Sequence, residues 1–222
     1  MKIIRPSHEV LFVPDWKAML ENIELAGRTC YKSEDKITPD SAGEFVRRII
    51  KMGHTSVIEH SSVTVRFVCD RGVTHEIVRH RLASYSQEST RYCNYSKGRH
   101  GGEITVIRPF FWDEDSKEYA VWLRSMQAAE DAYMELIKAG AGPQEARSVL
   151  PNSLKTEIVM TCNLREWRHV FSLRCAPPAH PQMRESMLPL LEEFHTKVPV
   201  IFDDLFEKYQ EDIERFKQLA GR

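Results

Sequence analysis

The sequence predicts an α+β fold, with a mostly antiparallel, twisted sheet flanked by long helices, in one domain over residues 1–222. Three observations carry this reading. Apolar and polar residues alternate in short runs, at Val63, Val65, Phe67 and Cys69 and again at Ile158, Met160 and Cys162, the period of a strand with one face on a core. Around these runs the period becomes that of long amphipathic helices, and strands mixed with longer helices favour α+β. No Pro-, Gly- or Ser-rich stretch divides the chain, and 222 residues can bury one sizeable core.

Taken in order, Thr38-Pro39 is expected to cap a helix carrying Phe45, Val46, Ile49 and Ile50 and ending at Gly53, with Arg47, Arg48 and Lys51 near its negative end. The run from Val63 follows as a strand, and Asp70-Arg71-Gly72 reads as a turn after it. Val73, Ile77, Val78 and Leu82 have helical spacing, so a helix over 73–82 brings Glu76, Arg79 and His80 near one another. From Ala83 to Gly102 apolar periodicity gives way to Ser, Asn and Gly, which reads as a loop with backbone amides available to a ligand.

Residues 103–108 form a short strand candidate. Asp115-x-x-Glu118 then caps a long helix whose Trp122, Met126, Ala129, Tyr133 and Leu136 make one buried stripe ending near Gly140. A short helix runs from Pro143 through Leu150, placing Arg147 near its end. After the strand at Ile158–Cys162, Asn163 reads as a helix cap with Glu166 as its reciprocal partner and Trp167, Val170 and Phe171 as the apolar stripe. Helices over roughly 181–197 and 200–219 complete the chain, with Pro189 as a kink point and Pro199 as a start.

A net charge of -1 argues against broad attraction to nucleic acid or membrane, so concentrated cations are a local device for a small ligand. No stretch approaches the length of a membrane span, and the first residues lack the apolar centre of a signal peptide, which predicts a cytoplasmic protein. Five cysteines without a Cys-x-x-Cys pair fit reduced thiols. Nine histidines invite a metal reading, but neither His54 with His60 nor His75 with His80 has helical i, i+4 placement or cysteine company, so no metal is expected.

The densest chemistry lies in residues 79–92, Arg-His-Arg-Leu-Ala-Ser-Tyr-Ser-Gln-Glu-Ser-Thr-Arg-Tyr. Guanidinium groups make bidentate phosphate contacts and Ser and Thr hydroxyls add donors, so an anionic ligand is expected along this segment. Leu82, Ala83, Tyr85 and Tyr92 interleave with the charges and suggest a segment half sunk in a cleft.

Arg79-His80-Arg81, then seven residues, then Ser89 resembles the signature of the flavin-dependent thymidylate synthases. The likeness extends, in the family's order, to Gly53-His54-Thr55-Ser56-Val57-Ile58-Glu59-His60, Thr74-His75-Glu76, Ala146-Arg147-Ser148-Val149-Leu150-Pro151, and Asn163-Leu164-Arg165-Glu166-Trp167-Arg168-His169 with Arg174. It implies a cytoplasmic homotetramer that converts dUMP to dTMP using methylenetetrahydrofolate, NADPH and FAD, with sites where subunits meet. By position it implies FAD contacts at Ser56, Arg79, His80, Arg81, Gln87, Asn163, Arg165 and His169. It implies dUMP contacts at Glu76, Arg79, Gln87, Glu88, Ser89, Thr90, Arg91, Arg147 and Arg174, with Arg174 as the catalytic residue. No Ser-His-acid constellation supports Ser89 as a nucleophile. Two prolines before His180, and Ser86-Gln87-Glu88 where relatives differ, leave the folate contacts and the division of residues 86–88 between FAD and dUMP open. A flavin and folate enzyme acting on RNA would need a broad basic surface, and a nucleotide sensor would need neither flavin nor turnover.

Overall fold

The computed structural model describes residues 1–97 and 101–220, and the chain falls into two compact units, each assembled from three segments. Unit 1 comprises 1–7, 67–79 and 86–159; unit 2 comprises 8–66, 80–85 and 160–222. The α+β class is borne out: helices accompany an antiparallel four-stranded sheet. Its strands are β2 (Ser7–Phe12), β3 (Ser62–Asp70), β6 (Lys155–Asn163) and β4 (Ala83–Gln87), in the order β2-β3-β6-β4. Among the described residues no helix is long and apolar enough to cross a membrane.

In unit 2, α1 (Trp16–Tyr31) begins where the Asp15 carboxylate accepts from the backbone N–H groups of Lys17 and Ala18, both at 3.1 Å. The second helix, α2 (Ser41–Lys51), starts later than the Thr38-Pro39 signal suggests. The Thr38 backbone N–H is taken by Ser41 Oγ at 2.9 Å, and that hydroxyl donates to buried Glu24 at 2.8 Å, so this segment ties down α1 instead of opening α2. Gly53 ends α2 at φ +76°, as expected, and a 3-10 turn over Thr55–His60 leads into β3.

The core of unit 2 is aromatic. α6 (Leu164–Arg174), α7 (Pro181–Lys197) and α8 (Pro199–Ala220) bring together Trp167, Phe171, Phe194 and Phe202, with ring centroids 5.3 to 5.7 Å apart. Each such pair contributes about 0.5–1.5 kcal/mol beyond area burial. The Trp167 indole N–H donates to the Val63 carbonyl at 3.2 Å, pinning α6 to the start of β3.

In unit 1, β1 (Lys2–Ile4) and β5 (Thr105–Ile107) pair in parallel, Ile3 opposite Val106. They pack with α4 (Lys117–Lys138) around Ile104, Val106, Trp122, Met126, Tyr133 and Leu154. The α4 cap is Ser116, whose Oγ accepts from the Tyr119 N–H at 3.1 Å, one residue past the expected Asp115. The helix expected from Pro143 through Leu150 is α-helical as α5 (Pro143–Ala146) and tightens to a 3-10 turn over Arg147–Val149.

Three expectations around the polar segment are corrected. Asp70-Arg71-Gly72 is a helix cap and not a turn: Asp70 Oδ1 accepts from the Val73 N–H at 2.7 Å, and α3 (Arg71–Ile77) follows β3 directly. A Cβ on Gly72 would sit 3.1 Å from that oxygen, so this glycine serves the cap. The helix ends at Ile77 and not Leu82, because Val78 and Leu82 are 39% and 75% exposed and extend no buried stripe. The loop expected from Ala83 contains β4, whose inward positions Ala83, Tyr85 and Gln87 are half-buried. Residues 98–100 of that expected loop lie outside the described residues.

Candidate functional site

In unit 1 the sequence signature resolves into a braced loop. Arg79 leaves the end of α3 exposed, its Nε–H donating to the His75 carbonyl at 3.2 Å, and Glu76 is half-buried one turn earlier. Gln87 ends β4 with its amide N–H₂ donating to Thr74 Oγ1 at 2.9 Å and Thr156 Oγ1 at 3.4 Å, so it fastens α3, β4 and β6 together. The next residue, Glu88, accepts at 3.1 Å from Lys155, which also reaches Glu157 at 2.6 Å. Burial alone would lower the Lys155 pKa, but its bonds to Glu157 and Glu88 outweigh that and raise it, so the ammonium stays charged.

Beyond this anchor the chain turns. Ser89 Oγ accepts from the Arg91 N–H at 3.3 Å, and the Ser89 carbonyl accepts from the N–H groups of Tyr92 and Cys93 at 3.2 and 3.0 Å. Thr90 is 5% exposed and takes an N–H from Arg147 at 3.4 Å, tying the loop to the 3-10 turn after α5. Arg91 and Arg147 are themselves exposed, and Arg91 lies over the Tyr92 ring at 5.6 Å. Two guanidinium groups and two hydroxyls on a tightened turn form a donor set suited to a phosphate monoester.

Unit 2 holds the second constellation. β6 runs straight into α6, where Asn163 Oδ1 accepts from the Glu166 N–H at 2.9 Å, so the predicted cap is present. The reciprocal half of the predicted box is replaced by a different bond: Glu166 Oε1 lies 3.2 Å from Nδ1 of His80. His80 follows α3 in sequence and is only 4% exposed. Its Nε2 accepts from Arg174 Nε at 2.9 Å, and its backbone carbonyl accepts from the Tyr85 hydroxyl at 2.6 Å. The His169 ring meets it edge-on, centroids 5.6 Å apart.

Burial, followed by the electrostatic influence of Arg174 and then His169, depresses the His80 pKa from 6.5 to about 4, so the ring is neutral at pH 7. Glu166 moves the other way, raised by burial and opposed by His169. Burial also pushes the Tyr85 hydroxyl up, with Cys162 and Glu166 adding to the effect and Arg174 opposing it, so it remains a donor. Ligand atoms of His80, Glu166 and His169 lie within 4.8 Å of one another, yet both His80 nitrogens are already used, by Glu166 and Arg174.

The remaining predicted contacts in this unit lie on its surface. Ser56 is exposed on the 3-10 turn, Arg165 is exposed and paired with Glu59 at 2.5 Å, and Arg81 and His169 are exposed as well. These hydroxyl, guanidinium and imidazole donors, with the Asn163 amide, suit the pyrophosphate and polar ring edges of a dinucleotide. His80 differs from them: its side chain is committed internally. The structure thus gathers Glu76, Arg79, Gln87, Glu88, Ser89, Thr90, Arg91 and Arg147 in unit 1, and Ser56, His80, Arg81, Asn163, Arg165, His169 and Arg174 in unit 2. Sequence reasoning missed Tyr85 and Lys155 as supports and gave Glu166 only a capping role. For Lys155 the local signal was Glu157, two residues on; its other partner, Glu88, is 67 positions away.

The comparisons with known proteins agree in direction. A family described as thymidylate synthase complementing protein matches residues 13–200. The flavin-dependent thymidylate synthase of Corynebacterium glutamicum is 33% identical over 213 residues, covering 86% of this chain and 82% of its own. Proteins of the same description from Geobacter sulfurreducens and Pyrococcus abyssi are each 35% identical, over 189 and 181 residues, covering 82% and 78% of this chain and 80% and 73% of theirs.

Proposed function

The chain belongs to the flavin-dependent thymidylate synthase family, and on that premise we propose that it converts dUMP to dTMP, taking the one-carbon unit from methylenetetrahydrofolate and reducing equivalents from NADPH. The observation that carries this reading is Arg174, a guanidinium whose Nε donates at 2.9 Å to a buried, neutral histidine. A fixed cation beside uracil favours the N3-deprotonated ring and so raises the nucleophilicity of its carbon, without covalent attack by the protein.

In this reading Ser89, Arg91 and Arg147 hold the dUMP phosphate, Thr90 and Gln87 brace the loop that presents them, and Glu76, Arg79 and Glu88 complete the nucleotide contacts. Ser56, Arg79, Arg81, Gln87, Asn163, Arg165 and His169 hold FAD, with His80 contributing through its neighbours. When bound, FAD supplies the hydride-carrying chemistry between NADPH and the one-carbon unit. Residues 1–222 act as one functional domain in a cytoplasmic homotetramer whose sites draw residues from more than one subunit.

The test is anaerobic incubation of purified protein with FAD, dUMP, methylenetetrahydrofolate and NADPH, measuring dTMP and tetrahydrofolate. Equimolar formation of both is expected. Protein that remains colourless after incubation with excess FAD, or that consumes NADPH without forming dTMP, refutes the assignment.

A further inference from the structure

We infer that Glu166 and Tyr85 are positioning residues for Arg174: together they hold His80 as the tautomer with its hydrogen on Nδ1, so that the Nε2 lone pair orients the guanidinium. The inference rests on the reading of Arg174 given above, and its geometry stands on the donor inventory alone. Arginine has donors and no acceptor, so at 2.9 Å from Arg174 Nε the His80 Nε2 must be the acceptor. A neutral imidazole then carries its hydrogen on Nδ1, where Glu166 Oε1 receives it at 3.2 Å. That oxygen accepts whether or not the other carboxyl oxygen is protonated.

The opposite tautomer is disfavoured twice over. It would set an Nε2–H against the Arg174 N–H, and a lone pair on Nδ1 against the Glu166 carboxylate. Both clashes would be buried, since His80 and Glu166 are 4% and 6% exposed. Tyr85 acts on the backbone: its hydroxyl, donating to the His80 carbonyl at 2.6 Å, fixes the segment carrying the ring, five residues back along the chain. Glu166 lies in the first turn of α6 and Arg174 is its last residue, eight positions later, which is about 12 Å along the axis. Side chains tilt toward a helix N-terminus, so Arg174 reaches back and the one imidazole spans both ends of the helix.

Also facing these residues are His169 from α6, which meets the ring edge-on, and Cys162 from β6, which acts on Tyr85. Neither is hydrogen-bonded to the imidazole in the network described. Glu166 and Arg174 therefore hold the tautomer from the two sides of the ring, and Tyr85 fixes its position.

The test uses the FAD-loaded protein labelled with ¹⁵N-histidine, with His80→Asn identifying the His80 resonances. The parent is expected to show a protonated Nδ1 and an unprotonated Nε2. Glu166→Leu leaves Arg174 as the remaining support for that tautomer, so it should weaken the preference, free the ring to turn and lower kcat for dTMP by about tenfold to a hundredfold, as misorientation of a reacting group does. In the same variant, FAD reduction by NADPH and the KM for dUMP should change by less than about threefold. Glu166→Gln keeps an acceptor and should recover both tautomer and rate, while Tyr85→Phe should lower kcat and leave the tautomer in place. A parent with Nε2 protonated overturns the proposal whatever Arg174 does. So does a folded Glu166→Leu protein with unchanged kcat, or one in which flavin reduction falls in step with dTMP formation. If the tautomer result holds but Arg174→Ala keeps full activity, the assignment of uracil activation to Arg174 fails, and with it the catalytic part of this inference.

Discussion

The buried imidazole of His80 makes the protein acid-sensitive in a way that one substitution should remove. Its pKa falls from 6.5 to about 4 on folding, chiefly through burial and then through Arg174 and His169. Above pH 6.5 the ring is neutral in folded and unfolded chains alike. Between 6.5 and about 4 the unfolded chain holds a proton that the native ring refuses, so stability falls as pH falls through this window. The gap of about 2.5 in pH, at about 1.36 kcal/mol each, amounts to about 3 kcal/mol lost at this one residue. Glu166 works with opposite sign, because its pKa is raised by burial and its contribution declines as pH rises.

His80→Gln keeps a side chain able to accept from Arg174 and to face Glu166, and it does not titrate. Urea midpoints for parent and variant, measured from pH 7 to 4 at one protein concentration, should converge as the pH falls, the parent losing about 3 kcal/mol more than the variant. Parallel pH profiles would refute the reasoning, since His80 would then titrate alike in both states.

Ser89→Ala should weaken dUMP binding by about 1–3 kcal/mol in a calorimetric titration while leaving turnover measurable, through one lost phosphate hydrogen bond. Complete loss of turnover at saturating dUMP, with fold and FAD intact, would instead make Ser89 a nucleophile. Arg174→Ala should nearly abolish dTMP formation while NADPH still reduces FAD, and Arg174→Lys should retain partial activity because it keeps the charge but not the planar fork. Close to parental dTMP formation by Arg174→Ala would shift uracil activation to another arginine. Phe194→Ala removes a ring that meets Trp16, Trp167, Phe171 and Phe202, and should cost about 3–5 kcal/mol of stability by urea titration.

What was legible in the sequence is what depends on period or on neighbours a few residues apart. β3 and β6 show clean alternation because one face is packed on a core, and the start of α6 shows because Asn163 caps within three residues. β4 was hidden because its inward residues are Ala83, Tyr85 and Gln87, two of which work through polar atoms and give no hydrophobic alternation. Asp70-Arg71-Gly72 misled because turns and helix caps use the same residues for the same local hydrogen bonds. The residues of the candidate site were found by resemblance in sequence, but their wiring was not. The bond from Glu166 to His80 spans 86 positions, and nothing local in either residue predicts the other.

The division of the chain into interleaved segments has a kinetic consequence. Each unit is stitched from three separate stretches, and the chain passes from one unit to the other within β3, β4 and β6. Neither unit can therefore be completed early during synthesis and left to wait. The contact of Trp167 with Val63 closes a loop of 104 residues, and that of Arg165 with Glu59 one of 106. Contacts so distant in sequence repay the entropy of ordering only after most of the chain exists. The bond from Arg174 to His80, 94 positions apart, is one of these contacts.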